Sequence, residues 1–154
     1  MNLSQSHDSR EAREARRLFF DKGTLPSHLV DDTIIQSWLR CAQERRGPGD
    51  RIQFHSLTPT TTRQLLQRHD RLIAGFDGVV SRFRQVFAQS RFHPVLTDAR
   101  ATIIASHAAD ASDTAQWRGA LTVGVDMSES AIGTAAMNCA LEAGRSVQVV
   151  GAEH

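Results

Sequence analysis

The sequence predicts an α+β fold, in which an N-terminal helical segment precedes a small antiparallel sheet with packed helices. Two patterns support this prediction. Apolar residues recur at spacings of three and four up to about residue 90, which is typical of amphipathic helices, and short β-branched runs replace that spacing from His93 onward. The 154 residues are enough for one ordinary domain with an extension.

Residues 1–57 are predicted to form an N-terminal helical region. A first helix runs from the capping residue Ser9 to Lys22, where a glycine follows. A second helix runs from about Leu29 to Arg45 and ends at a Gly-Pro-Gly-Asp turn cluster. The apolar side chains on one side of this second helix are Ile34, Ile35, Trp38, Leu39 and Ala42.

Residues 58–90 are predicted to form one long amphipathic helix, capped by Thr58 with Pro59 in its first turn. Its apolar face comprises Leu66, His69, Ile73, Phe76, Val80, Phe83 and Phe87, flanked by Leu65, Leu72, Val79 and Val86. This face is wider than a two-stranded seam requires. Two interpretations stay open: the helix packs on its own domain, or it belongs to a bundle shared by two chains. The second interpretation predicts a homodimer, with this segment serving dimerisation and signalling.

Residues 91–154 are predicted to hold the sheet, with about three strands. The predicted elements are a hairpin of His93–Thr97 and Thr102–Ser106, a helix from about Ser130 to Ala143, and a short strand at Val147–Val150. Asp98 leads the hairpin turn, and Gly144 has the position of a residue that ends a helix.

An ordered motif occupies residues 124–154. Its members are Ser128, Glu129, Gly133, Thr134, Ala136, Ala140, Leu141, Gly144, Val147, Gly151, Glu153 and His154. It resembles the elements S-E-x-x-x-G-T-x-A, A-L-x-x-G-x-x-V and G-x-E-H-F in the GAF sensor region of sigma-54-dependent transcriptional activators of the acetoin and dihydroxyacetone regulator type. Upstream, Ile34–Cys41 resembles the family's I-x-x-S-W-x-R-[SC] helix, and Val95–Ala105 resembles its first GAF hairpin. The resemblance covers about residues 30–154.

The resemblance implies the small-molecule-sensing regulatory region of such an activator, which relays ligand occupancy through helices. In the family, further GAF strands, an AAA+ ATPase and a Fis-type helix-turn-helix follow the Glu-His element. Residues 91–154 are therefore expected to form a partial GAF-like sensor domain, truncated inside its fold, with the DNA-binding and ATPase domains absent. Met127, Ala135 and Ala101 depart from the family pattern near the expected pocket and the hairpin turn. The identity of the effector cannot be transferred from the family for this reason.

The expected ligand pocket lies between the sheet and the helix at Gly133–Met137, where small residues leave room. The residues expected to bind the ligand are Trp117, Met127, Glu129, Thr134 and Met137. Glu129 and Thr134 supply polar groups to an apolar wall. Alternative roles stay open, because Trp117 and Met127 also suit a core. Favourable interaction with a helix N-terminus alone would explain Glu129.

The composition predicts a cytoplasmic protein that does not enter a membrane. Basic residues number 18 and acidic residues 17, and no apolar run approaches the roughly 18 residues of a membrane span. No signal peptide opens the sequence, and the two cysteines lack CxxC spacing, as expected of free thiols in a reducing compartment.

Sequence motifs of catalysis are missing, so no enzyme activity, metal or cofactor is predicted. The chain contains no GxSxG, HExxH or P-loop motif, and Lys22 is its only lysine. Two alternative functions stay open beside sensing. One is a GAF-like dimerisation or assembly module that binds no ligand. The other is a GAF-type methionine-sulfoxide reductase, which would require Cys41 and Cys139 to meet in space.

Overall fold

The computed structural model describes residues 3–47, 49–50, 52, 54–88, 92–107 and 119–154, and it confirms the α+β fold class. The helices are α1 (Leu3–Lys22), α2 (Asp32–Gln43), α3 (Pro59–Arg68), α4 (Asp70–Arg82), α5 (Arg84–Ala88), α6 (Glu129–Ile132) and α7 (Ala136–Ala143), with a 3-10 turn at Gly151–Glu153. The strands are β1 (Val95–Thr97) and β2 (Ile103–Ser106). Two compact units result: a terminal unit, Met1–Gln53 with Ser128–His154, and a central unit, Phe54–Met127. The predicted functional division at residues 57 and 90 stays a prediction.

Helix α2 is the centre of the terminal unit. Its residues Ile34 and Trp38 are buried in one cluster with Ala15 of α1 and Cys139 of α7. The side chains packed around this cluster are Phe19, Phe20, Leu29, Val30, Val147 and Val149. Asp31 caps α2 by accepting a hydrogen bond from the Thr33 N–H, and this bond, the Thr33 hydroxyl and Arg145 lower the pKa of Asp31 to about 2. The strong cap fixes where α2 begins.

The predicted helix from Ser130 to Ala143 is divided into α6 and α7. Gly133 ends α6 with φ 78° and ψ −157°, a backbone conformation that is essentially restricted to glycine. The Asn138 side chain then starts α7, since it accepts the Ala135 N–H at 3.0 Å and donates to the Gly133 carbonyl at 2.9 Å. The break leaves Thr134 between two helices rather than inside one.

The C-terminal segment Val147–Val150 is not a strand of the sheet. Among the described residues the sheet contains two strands, where the sequence predicted about three. Val147 and Val149 alternate towards the core of the terminal unit, as a strand would, and Val150 has extended dihedrals of −125° and 127°. The pattern therefore predicted the burial of Val147 and Val149 but not the absence of pairing, because alternation reports burial of one face and not a hydrogen-bonded neighbour.

In the central unit, β1 and β2 form the predicted antiparallel hairpin, with Leu96 opposite Ala105. The carboxylate of Asp98 holds the turn by accepting the backbone N–H groups of Arg100 at 2.9 Å and Thr102 at 2.8 Å. Ala101 has a left-handed φ of 62°, a conformation that glycine adopts more readily than alanine.

The predicted helix of residues 58–90 consists of the consecutive segments α3, α4 and α5. His69 and Phe83 interrupt it with φ values of −112° and −101°. Thr58 is confirmed as its cap, because its hydroxyl accepts the Thr61 N–H at 3.3 Å. Val80 is buried within the unit, so the helix packs at least partly on its own domain.

Substitution by alanine is expected to have opposite effects on stability at two glycines of the central unit. A Cβ on Gly124, which has φ 89°, would lie 2.8 Å from Oγ1 of Thr62, whereas a Cβ on Gly78 in α4 would meet nothing within 4 Å. We expect Gly124→Ala to lower the free energy of unfolding by about 1–3 kcal/mol through strain. Gly78→Ala should raise it by up to about 1 kcal/mol through helix propensity. Urea denaturation of both variants measures this, and effects of the same sign would contradict the geometry.

Candidate functional site

The carboxylate of Glu129 is the centre of a polar cluster in the terminal unit. Arg40 binds it with two nitrogens, Nε at 2.6 Å and Nη2 at 2.7 Å, and Ser37 Oγ donates to it at 2.6 Å. The Glu129 side chain is 14% exposed and that of Arg40 is 36% exposed. The hydrogen-bonded carboxylate raises the pKa of the Arg40 guanidinium. Three donors on one carboxylate hold α2 against α6.

Thr134 extends this cluster into the interior. Its Oγ1 lies 2.9 Å from Ser37 Oγ and 3.9 Å from Cys41 Sγ, and Thr134 and Ser37 are both buried. The Ser37 hydroxyl has one proton for two acceptors, so the Thr134 hydroxyl can complete the chain as the donor to Ser37. The break between helices α6 and α7 at Gly133 allows Thr134 to face α2.

The two cysteines are buried free thiols whose burial raises the pKa of each. The Ser37 hydroxyl acts against this burial by lowering the pKa of both thiols, so residues distant in sequence are near the same group. A reductase needs a reactive thiolate, and a raised pKa keeps the thiol protonated at neutral pH. The arrangement gives the reductase alternative no support beyond this proximity.

The Glu-His element, Glu153 and His154, is hydrogen-bonded to residues of α1 and α2 and to Thr134. Trp38 Nε1 donates to the Glu153 carbonyl at 2.9 Å, and His154 Nδ1 is hydrogen-bonded to the Thr134 carbonyl. Arg16 of α1 donates to the carbonyl of His154 at 2.6 Å. The Glu153 carboxylate accepts the Val150 N–H at 2.8 Å. The side chains of Glu153 and His154 therefore both have structural partners.

These contacts bring three motifs together that lie far apart in the sequence. Ser37, Trp38 and Arg40 come from the first motif, Glu129 and Thr134 from the second, and Glu153 with His154 from the third. Sequence reasoning assigned no site role to Ser37 or Arg40. The signal that could have found them is their place in the I-x-x-S-W-x-R-[SC] pattern, where a spacing of three puts both on one helix face.

A cleft of about 250 Å³ opens beside the cluster. Its apolar wall includes Phe20, Trp38 and Ile132, and its polar groups include Thr134 and Arg46. Apolar walls with a few fixed polar groups are typical of small-ligand sites, and this volume suits a metabolite smaller than a drug molecule.

The structure places the five expected ligand-binding residues in different surroundings. Thr134 lines the cleft, and Glu129 is joined to it through the shared serine hydroxyl but is held by its ion pair. Met137 is half-buried in α7, outside the lining of the cleft. Met127 is buried in the central unit, where its N–H bonds to the Ala101 carbonyl. Trp117 lies outside the described residues, and the ligand-binding role of all five stays a prediction.

The described residues lack the features of a metal site and of a membrane-spanning helix. No group of three or more His, Cys, Asp or Glu side chains is arranged to hold a metal ion there. No helix among the same residues has the length and apolar character needed to span a membrane.

Comparison with known proteins gives one informative match. The chain is 29% identical over 160 aligned residues to the acetoin catabolism regulatory protein of Cupriavidus necator. It resembles a regulatory protein along its whole length. The alignment covers all of the chain and 23% of that relative, so the chain spans about a quarter of the relative's length. No protein-family profile matches the chain, and no solved structure matches it significantly.

The Arg40–Glu129 pair is expected to stabilise the terminal unit measurably. Glu129→Gln should lower the free energy of unfolding by about 1–3 kcal/mol, because it leaves donors of Arg40 and Ser37 with a weaker acceptor. A double-mutant cycle with Arg40→Gln, measured by urea denaturation, isolates the pair. The matched control is the exposed pair Arg17–Glu14 of α1, 2.7 Å apart, for which we expect no resolvable coupling. Equal coupling in the two cycles would contradict a special role for Glu129.

Proposed function

We propose that this chain is the small-molecule-sensing regulatory region of a sigma-54-dependent transcriptional activator, with a partial GAF-like fold. The similarity to a regulatory protein along the whole chain supports a regulatory role. The observation that carries the sensing part is the convergence of three motifs of the resembling family on one cleft, at Trp38, Thr134 and His154. The ATPase and DNA-binding activities of such activators are not assigned to this chain.

The relay begins at Thr134 in this proposal. A ligand in the cleft contacts Thr134, which lines it, and Thr134 is linked through Ser37 to the Arg40–Glu129 pair. A ligand that favours one arrangement of this hydrogen-bond chain shifts the balance between two positions of α2. The size of that shift equals the ligand's difference in affinity for the two states.

Sensing predicts ligand-dependent stability that depends on the Thr134 hydroxyl. In a thermal-shift screen with small alcohols, ketones, phenols and organic acids, a binder present at 100 times its Kd should stabilise the chain by about 2.7 kcal/mol. Thr134→Val keeps the shape and removes the hydroxyl, so it should weaken this response. Thr102→Val, at a buried threonine of the central unit, is the matched control and should leave the response unchanged.

One outcome contradicts the sensing proposal, and another contradicts the proposed position of the ligand. If no compound of the screen stabilises the folded wild-type chain, the assembly-module alternative replaces it. If Thr134→Val and Thr102→Val respond equally, the ligand binds elsewhere.

We also propose that the chain forms a homodimer through an exposed apolar row on α4 and α5. The row consists of Leu72, Val79, Phe83 and Val86, which are between 49% and 61% exposed. Their spacings of seven, four and three would give one stripe on a continuous helix, and here Phe83 lies at the junction between α4 and α5. This row differs from the apolar face that the sequence predicted. Val80 of that face is buried, and the Phe76 ring packs on the His107 ring with 5.6 Å between the ring centroids.

The energy available from this row is suited to pairing with a second copy. Complete burial of a large apolar side chain contributes about 1.5–3 kcal/mol. Each of the four residues is already about half-buried, so its further burial in a dimer would contribute roughly half of that value, and both copies contribute. A two-fold pair is the commonest arrangement of soluble homo-oligomers, and it would cover the row of both copies at once.

Light scattering at micromolar concentration tests the dimer. We expect twice the chain mass for the wild type and a monomer for Val79→Asp combined with Val86→Asp, because two charges interrupt the row. Ser81→Asp combined with Gln85→Asp, at exposed positions of the same helices outside the row, should remain dimeric. A folded wild-type monomer at this concentration would refute the proposal.

A further inference from the structure

We infer that the terminal-unit cleft selects a small alcohol, whose hydroxyl group donates a hydrogen bond to the side chain of Thr134. The inference rests on the proposed sensing function and names the chemical class of its ligand. It starts from the protons of a short hydrogen-bond chain, in which Ser37 Oγ lies between Thr134 Oγ1 and the carboxylate of Glu129.

The hydroxyl proton of Ser37 is used in the bond to Glu129. Ser37 Oγ lies 2.6 Å from Oε1 of Glu129 and 2.9 Å from Oγ1 of Thr134. Glu129 is ion-paired with Arg40, and an ionised carboxylate only accepts hydrogen bonds. A hydrogen bond from a hydroxyl to a charged oxygen is roughly twice as strong as one to a neutral oxygen, and its usual length is about 2.5–2.7 Å. The shorter contact is therefore the one to which Ser37 donates.

The proton of Thr134 is used in turn by Ser37. Since Ser37 has a single proton, its 2.9 Å contact is a hydrogen bond only when Thr134 is the donor. A hydroxyl oxygen can accept two further bonds. Cys41 Sγ, 3.9 Å away, offers one weak S–H donor. Thr134 therefore retains one acceptor position and no proton for a ligand.

The other polar groups of the cleft are compatible with a ligand hydroxyl. His154 Nδ1 is bonded to the Thr134 carbonyl, which only accepts, so Nδ1 carries the proton and Nε2 of a neutral ring is an acceptor. The guanidinium groups of Arg16 and Arg46 line the cleft as donors. A hydroxyl can accept from a guanidinium and donate to Thr134 at once, whereas a ketone, an ether or a carboxylate can only accept.

The apolar lining and the direction of the chain complete the argument. Phe20, Trp38 and Ile132 suit a carbon skeleton of a few atoms in a cleft of about 250 Å³. A bound alcohol aligns all protons in one direction, from the ligand through Thr134 and Ser37 to the carboxylate. Hydrogen bonds in such a series polarise one another, so binding at the cleft acts on the ion pair of α2 and α6.

Cyclohexanol and cyclohexanone form a matched pair of probes, since they share a ring and differ in whether the oxygen carries a proton. We expect isothermal titration of the whole chain to give a Kd for the alcohol about fivefold lower or more, because the ketone leaves the acceptor of Thr134 without a donor. Thr134→Val should abolish this preference. Thr134→Ser keeps a hydroxyl and should retain it.

Ser37→Ala tests the direction of the chain. It releases the proton of Thr134, which can then donate to the oxygen of the ketone. The preference for cyclohexanol should fall below about twofold, because both probes then find a partner in Thr134. A purely structural effect would change both Kd values by the same factor. Ser130→Ala, at an exposed position of α6, is the matched control and should leave the ratio of the two Kd values unchanged.

The outcomes separate this inference from the function on which it rests. Equal Kd values for the two probes in the wild type overturn the alcohol class and leave sensing in place. A preference that persists in folded Thr134→Val or folded Ser37→Ala overturns the assigned direction of the chain. If Ser37→Ala fails to fold, the comparison of Thr134→Val with Thr134→Ser decides. Failure of both cyclohexanol and the smaller propan-2-ol to bind also overturns the alcohol class, while sensing is then decided by the wider thermal-shift screen.

Discussion

The terminal unit depends on one carboxylate that is held by two neighbouring side chains of a single helix. Glu129 accepts hydrogen bonds from Arg40 and Ser37, which lie three residues apart on α2. An ion pair of this kind stabilises the fold only when its hydrogen-bonding groups are satisfied, since desolvation opposes the attraction of the charges. The paired nitrogens and the serine hydroxyl meet this condition. The same contact sets the position of Ser37, and through it the surroundings of Thr134.

Backbone conformation matters as much as side chains for the formation of the cleft. The dihedrals of Gly133 stop α6 and turn the chain before α7, so that Thr134 faces the interior and the carbonyl of Thr134 reaches His154. A residue with a Cβ would resist these dihedrals and favour continuation of the helix. Glycine and threonine therefore act as a pair here, because one provides the break and the other the hydroxyl that the break exposes.

Sequence patterns predicted local conformation better than they predicted partners. The fold class, the hairpin around Asp98, the cap at Thr58 and the helix bearing Trp38 follow from rules that act over a few residues. Arg40 and Glu129 are 89 positions apart, and no local rule connects them. The sequence did not predict the break at Gly133, because helix periodicity tolerates a glycine. It also did not show that Val147–Val150 is not paired in the sheet, because alternation does not identify a neighbouring strand. Thr134 was singled out through the family resemblance and not through periodicity, and its role in ligand binding stays a prediction.

The discontinuity of the terminal unit affects the order in which the chain can fold during synthesis. The central unit is one continuous stretch, Phe54–Met127, so all of its contacts become possible as soon as that stretch has left the ribosome. Helix α2 emerges earlier, but the partners of Ser37, Trp38 and Arg40 lie in residues 128–154. These contacts can therefore form only after that segment has been synthesised. Until then the apolar face of α2 has no complete core. Contacts of such long sequence separation also slow folding, because the ends of a long loop must meet before any energy is gained.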